Sequence, residues 1–178
     1  MRLTNLIFLF GTFAGLIVTG ITLVVIATGQ ATMDNHSVVR GYAIMILALT
    51  MIFFGVKRYR DQDLGGVIKF VPAFLVGLGI AIVAGIIYVL GWEVYMAATN
   101  NTFMDAYITH MIEGARAQGM AEADLNKMIA EMNAFKVEYA NPLYRMPMTF
   151  MEIFPVGFLI ALISAALLRN PKLLPARA

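Results

Sequence analysis

Hydrophobic and polar positions fall into blocks along this chain, unlike the alternation of a half-buried strand or the single stripe of a soluble helix. The longest block, "FVPAFLVGLGIAIVAGIIYVLGW" from Phe70 to Trp92, contains no charged residue. A helix rises 1.5 Å per residue, so such a block crosses a hydrocarbon core of ~30 Å. Three further blocks approach or reach that length. The pattern predicts spans over about residues 6–27, 38–56, 72–95 and 148–168. The first is longer than the ~7–15 apolar residues of a cleaved leader and is read as a retained span.

The one long polar region lies between Ala98 and Pro147. Leu125, Met128, Ile129, Met132, Phe135 and Tyr139 recur there at helical spacing, and Asn141-Pro142 ends the pattern. An earlier helix, over about 102–117, carries Tyr107, Met111 and Ala115 and stops near Gly119. Two short helices joined at Gly119 predict a hairpin over about 102–140. Its apolar face packs on itself, on the span ends or on the lipid surface. The chain is therefore read as an all-α membrane protein. It forms a single integral membrane domain over 1–178, with four transmembrane helices and a two-helix hairpin between spans three and four.

Details inside the spans refine this. Gly11 and Gly15 have the spacing that lets a second helix approach closely, and Gly157, Ala161 and Ala165 form a smooth face in span four. Pro72 falls in the first turn of span three, where its missing N–H costs nothing. Tyr88, Trp92 and Tyr95 predict an aromatic belt at the far interface. Pro155 frees the carbonyl of Met151 beside Glu152.

Charge then orients the chain. Apolar residues make up 60% and charged residues 13%, far from a globular mix, and the net charge of +2 is too small to suggest nucleic acid. Its distribution matters more. Arg2, the Lys57–Lys69 cluster and the tail with Arg169, Lys172 and Arg177 fall on one side of a four-span chain. The positive-inside rule puts both termini and the 57–69 loop in the cytoplasm, and the hairpin, with its acidic Glu113, Glu122, Asp124, Glu131 and Glu138, outside. The absence of cysteine removes disulfides, thiolate metal sites and a cysteine nucleophile.

With their spacing, "IFFGVKRYRDQDLGGVIKF", "IYVLGWEVY" and "NPLYRMPMTFMEIFPVGFLIALISAALLRN" resemble the bacterial membrane proteins grouped as domain of unknown function 4199. The resemblance runs from the first span to Arg169. It implies a four-span protein of the bacterial inner membrane, and it transfers no reaction.

The chemically pointed residues cluster at the span ends. Glu93 and Glu152 lie at the outer ends of spans three and four, at similar depth, with Arg145, Arg40 and Trp92 on the same side. An acid near the apolar boundary faces the bundle or water and finds a partner. Two readings stand: a polar crevice holding a small ligand, cation or proton, or a salt-bridged clamp between the spans. At the other end Lys57, Arg58, Arg60 and Lys69 either set topology alone or contact anionic headgroups. His110 with Glu113, and Asp34 with His36, are weak metal pairs, most simply solvated surface. No phosphate loop, nucleophile elbow or paired zinc motif is present, and no cofactor is expected. The reading is a non-catalytic binding or accessory protein whose partners are the bilayer and a second copy or another membrane protein. The alternative is a small proton- or cation-coupled transporter acting as an oligomer.

Overall fold

The structure, a computed structural model, describes residues 2–28 and 35–175. Its regular structure is helical throughout, with no strand among the described residues. The helices are α1 (Leu3–Ala27), α2 (Asn35–Leu49), α3 (Met51–Asp63), α4 (Phe70–Ala98), α5 (Phe103–Ala117), α6 (Glu122–Tyr139) and α7 (Pro142–Leu168). Four stretches are long and apolar enough to cross a membrane: Leu3–Ala27, Val39–Asp63, Phe70–Ala98 and Pro142–Leu168.

Two boundaries differ from the sequence reading for the same reason: charge ends an apolar run without ending a helix. The second span continues past Val56 through "KRYRD" to Asp63. Lys and Arg are good helix formers, and a Lys57–Asp61 ion pair four residues apart supports the turn. The chain breaks only at Gly65 and Gly66, whose φ values of 63° and 91° suit glycine. Within this span α2 and α3 meet at Thr50, whose hydroxyl donates to the Leu47 carbonyl at 2.6 Å and perturbs the regular ladder. The fourth span likewise starts earlier than Met148. Asn141 caps α7, its side chain accepting from the Leu143 N–H at 3.0 Å, and Pro142 occupies the first turn. The dipeptide that ends α6 also begins α7.

α4 is the central helix. Half of its apolar window is buried, against 28–33% for the other three spans. Along α1 it makes a parallel ladder: Ile7 meets Gly79, Gly11 meets Val83, Gly15 meets Ile87 and Thr19 meets Gly91. One member of each pair is a glycine, on α4 at the two ends of the ladder and on α1 in its middle, so each larger side chain seats against a glycine backbone. Two positions round the helix, α4 packs antiparallel on α7, with Gly77 against Ala161, Ala81 against Gly157 and Gly85 against the Phe150 ring. The Gly11/Gly15 and Gly157/Ala161 spacings are thus both contact faces on α4. α5 and α6 fold back on each other through Gly119, at φ 74°. They pack over the end of α4 in a second apolar cluster of Trp92, Met96, Met104, Ile108 and Tyr139.

Candidate functional site

Arg145 stands one turn into α7 and is 3% exposed. A buried guanidinium is tolerated only where its donors are satisfied. Its Nε donates to Oε1 of Glu93 at 2.7 Å and its Nη2 to Oε2 at 2.5 Å, a two-pronged ion pair between α7 and α4. Its Nη1 donates to the Asn101 side-chain oxygen and to the Tyr139 carbonyl, both at 3.1 Å. The cation also sits 5.7 Å from the centre of the Tyr139 ring. One side chain therefore joins the end of α4, the turn before α5 and the last residue of α6. That turn places Asn100 and Asn101 at φ 50° and 58°, a conformation asparagine adopts more readily than most residues.

Trp92 belongs to the same assembly. Its indole N–H donates to the Tyr139 hydroxyl at 2.9 Å, and its ring packs edge-on against Phe103 with centroids 4.9 Å apart. Burial raises the Tyr139 phenol above its ordinary range, so the hydroxyl keeps its proton. The expected aromatic belt is corrected here: Tyr88 is buried in the main core of the bundle, and Trp92 is buried because the hairpin covers it.

Glu152 is separate. It lies seven residues beyond Arg145, about two turns or ~10 Å further along α7. The similar depth expected for the two acids is thereby corrected: Arg145, not Glu152, lies level with Glu93. The Glu152 side chain is exposed and, among the described residues, forms no ion pair or hydrogen bond. It lines a shallow cavity of about 340 Å³ with Tyr139, Met148, Thr149 and Met151. Arg40 is exposed near the start of the second span, and the bonds fixing Glu93 and Arg145 do not involve it.

At the opposite end the basic cluster divides. Arg60 is fully buried, which takes it out of the group expected to meet headgroups. It donates to the carbonyls of Leu168 at 3.4 Å, Leu173 at 3.0 Å and Leu174 at 2.5 Å, and to Asp61 at 2.6 Å. It thus satisfies backbone groups at and beyond the end of α7. Lys57 is partly buried and paired with Asp61, whereas Arg58 and Lys69 are exposed. His110 and Glu113 stand 3.9 Å apart on the exposed face of α5, and no group of three potential metal ligands forms among the described residues. Asp34 and the His36 side chain lie outside the described residues.

The sequence reading missed Asn101 and Tyr139 as partners of Arg145, and the carbonyls that hold Arg60. The Asn-Asn pair was an available signal for a left-handed turn. A backbone carbonyl carries no signal in sequence at all.

Fold and site together define a multi-pass helical membrane protein whose buried ionic groups sit at the two ends of the bundle. The chain belongs to the family described as "Protein of unknown function (DUF4199)", whose family model matches residues 9–170. No curated protein and no solved structure matches it.

Proposed function

We propose that this is a non-catalytic binding or accessory protein of a bacterial inner membrane, with both termini cytoplasmic and the α5–α6 hairpin outside. The observation that carries the reading is the Glu93–Arg145 pair. Both carboxylate oxygens and the guanidinium are taken up in holding the hairpin over the span ends, so this acid acts as a clamp. The hairpin then presents a fixed, acidic outer face, with Glu113, Glu122, Asp124, Glu131 and Glu138 all exposed. Such a face suits a partner protein in the same membrane or a second copy, and it does not suit an anionic lipid surface.

Glu152 supports a second reading, a proton- or cation-coupled transporter acting as an oligomer. A carboxylate inside a span, outside any ion pair among the described residues, is the usual mark of an ion path. Purified protein in sealed vesicles separates the two. The accessory reading expects no flux driven by a pH gradient above that of empty vesicles. Flux present in the native protein and lost in Glu152→Gln overturns it in favour of the transporter.

A further inference from the structure

We propose that the cleft between α1 and α3 binds the headgroup of an anionic phospholipid, with the upper part of its acyl chain against Phe10 and Phe54. This site lies at the opposite end of the bundle from the hairpin and does not depend on the preceding reading.

The cleft is lined by Phe10, Phe54, Lys57, Arg58, Asp61 and Gln62. Phe54, Lys57, Arg58 and Asp61 are spaced by three, four and seven residues, so they share one face of α3. Along that face the apolar residue comes first and the cations follow one turn later, towards the end of the span. This order matches an amphiphile whose chain lies in the hydrocarbon and whose charge lies at the boundary. Phe54 is 54% exposed and so is available to a chain from the bilayer. Phe10 forms the opposite wall, held against the Gly55 backbone.

The electrostatics favour an anion. Asp61, the carboxylate in the cleft, is engaged by both Lys57 and Arg60. Arg58 is exposed and makes no hydrogen bond or ion pair among the described residues. Lys57 and Arg58 thus line the cleft beside one carboxylate that is already engaged, and the Arg58 guanidinium has its fork available for a phosphate. The volume, about 290 Å³, suits a headgroup and the first carbons of a chain better than a whole lipid. Arg60 faces inward and Lys69 precedes α4, so the cleft is a defined part of the basic cluster and not the whole of it.

The test measures lipid retained by the purified protein in micelles containing dioleoyl phosphatidylglycerol or dioleoyl phosphatidylcholine, read by native mass spectrometry. The native protein is expected to retain the anionic lipid preferentially. Arg58→Gln should weaken that retention about fivefold, as expected for one cation near a charged headgroup, and Arg58→Lys should restore part of it. Phe54→Ala should weaken it as well, whereas Lys69→Gln should leave it unchanged. Each variant is first compared with the native protein by thermal unfolding in phosphatidylcholine, and both Arg58 and Phe54 are exposed enough for the fold to survive. Equal retention of the two lipids by the native protein overturns the site. So does an unaltered Arg58→Gln or Phe54→Ala protein, or a Lys69→Gln protein weakened as much as Arg58→Gln, since that result reports a diffuse field.

Discussion

Arg145 shows most clearly how a single residue decides architecture. Its guanidinium is shared among an acid on α4, an amide in the α4–α5 turn and a carbonyl at the end of α6. Removing one partner of a buried ion pair strands the other, so Arg145→Ala is expected to cost about 3–5 kcal/mol, read by thermal unfolding in micelles. Adding Glu93→Ala should recover part of that loss, because the stranded carboxylate is then gone. Trp92 is the only tryptophan in the chain and reports directly on the assembly. Its buried, hydrogen-bonded indole should emit to the blue in the native protein and shift to the red in Arg145→Ala as the hairpin lifts. An unshifted spectrum would mean that the apolar cluster around Trp92 holds the hairpin without the ion pair. Sequence placed Glu93, Arg145 and Glu152 in one neighbourhood. The choice between the two acids depends on helix register, which the α4–α7 packing sets.

Among the helices, the ladder between α1 and α4 explains which glycines matter. A Cβ added at Gly15 would stand 2.6 Å from the Ile87 Cβ and 2.7 Å from the Ala84 carbonyl oxygen, and backbone leaves it no room. Gly20, on the same helix, has no atom within 4 Å of such a Cβ. Gly15→Ala is therefore expected to destabilise by about 1–3 kcal/mol, the usual cost of overpacking. Gly20→Ala should be neutral, or stabilising by a few tenths of a kcal/mol through helix propensity. Equal unfolding temperatures for the two variants would contradict the ladder. The four-residue spacing of Gly11 and Gly15 was legible in the sequence. Its partner was not, because every span in this chain is rich in small residues.

Taken whole, the chain folds back and forth through four stretches long and apolar enough to cross a membrane. α1 runs parallel to α4, and α7 runs antiparallel to it, as their contact ladders require. The end of α3 meets the end of α7 through Arg60, which gathers "KRYR" and the residues after Leu168 at one end of the bundle. The proposed orientation predicts a clear labelling pattern, and the lack of native cysteine makes it easy to read. In intact cells a membrane-impermeant maleimide should modify Ala123→Cys on the hairpin and spare Val67→Cys before α4 until the membrane is permeabilised. The reverse pattern would invert the topology, and modification of both on intact cells would mean that the two positions share a side.

The linear pattern by itself determined the membrane class, the number of helices long and apolar enough to cross, and the hairpin, because span length and apolar blocks are local properties of the chain. It set the breaks at Gly119 and Asn141-Pro142 for the same reason: turn and cap chemistry resides in the residues themselves. Only the tertiary structure decided that Arg60 turns inward to carbonyls, that Trp92 leaves the interface for Tyr139, and that Arg145 pairs with Glu93 and leaves Glu152 on the surface. Each of these outcomes depends on which faces of separate helices meet, and at what register. The chain states its periods, and packing selects the partners.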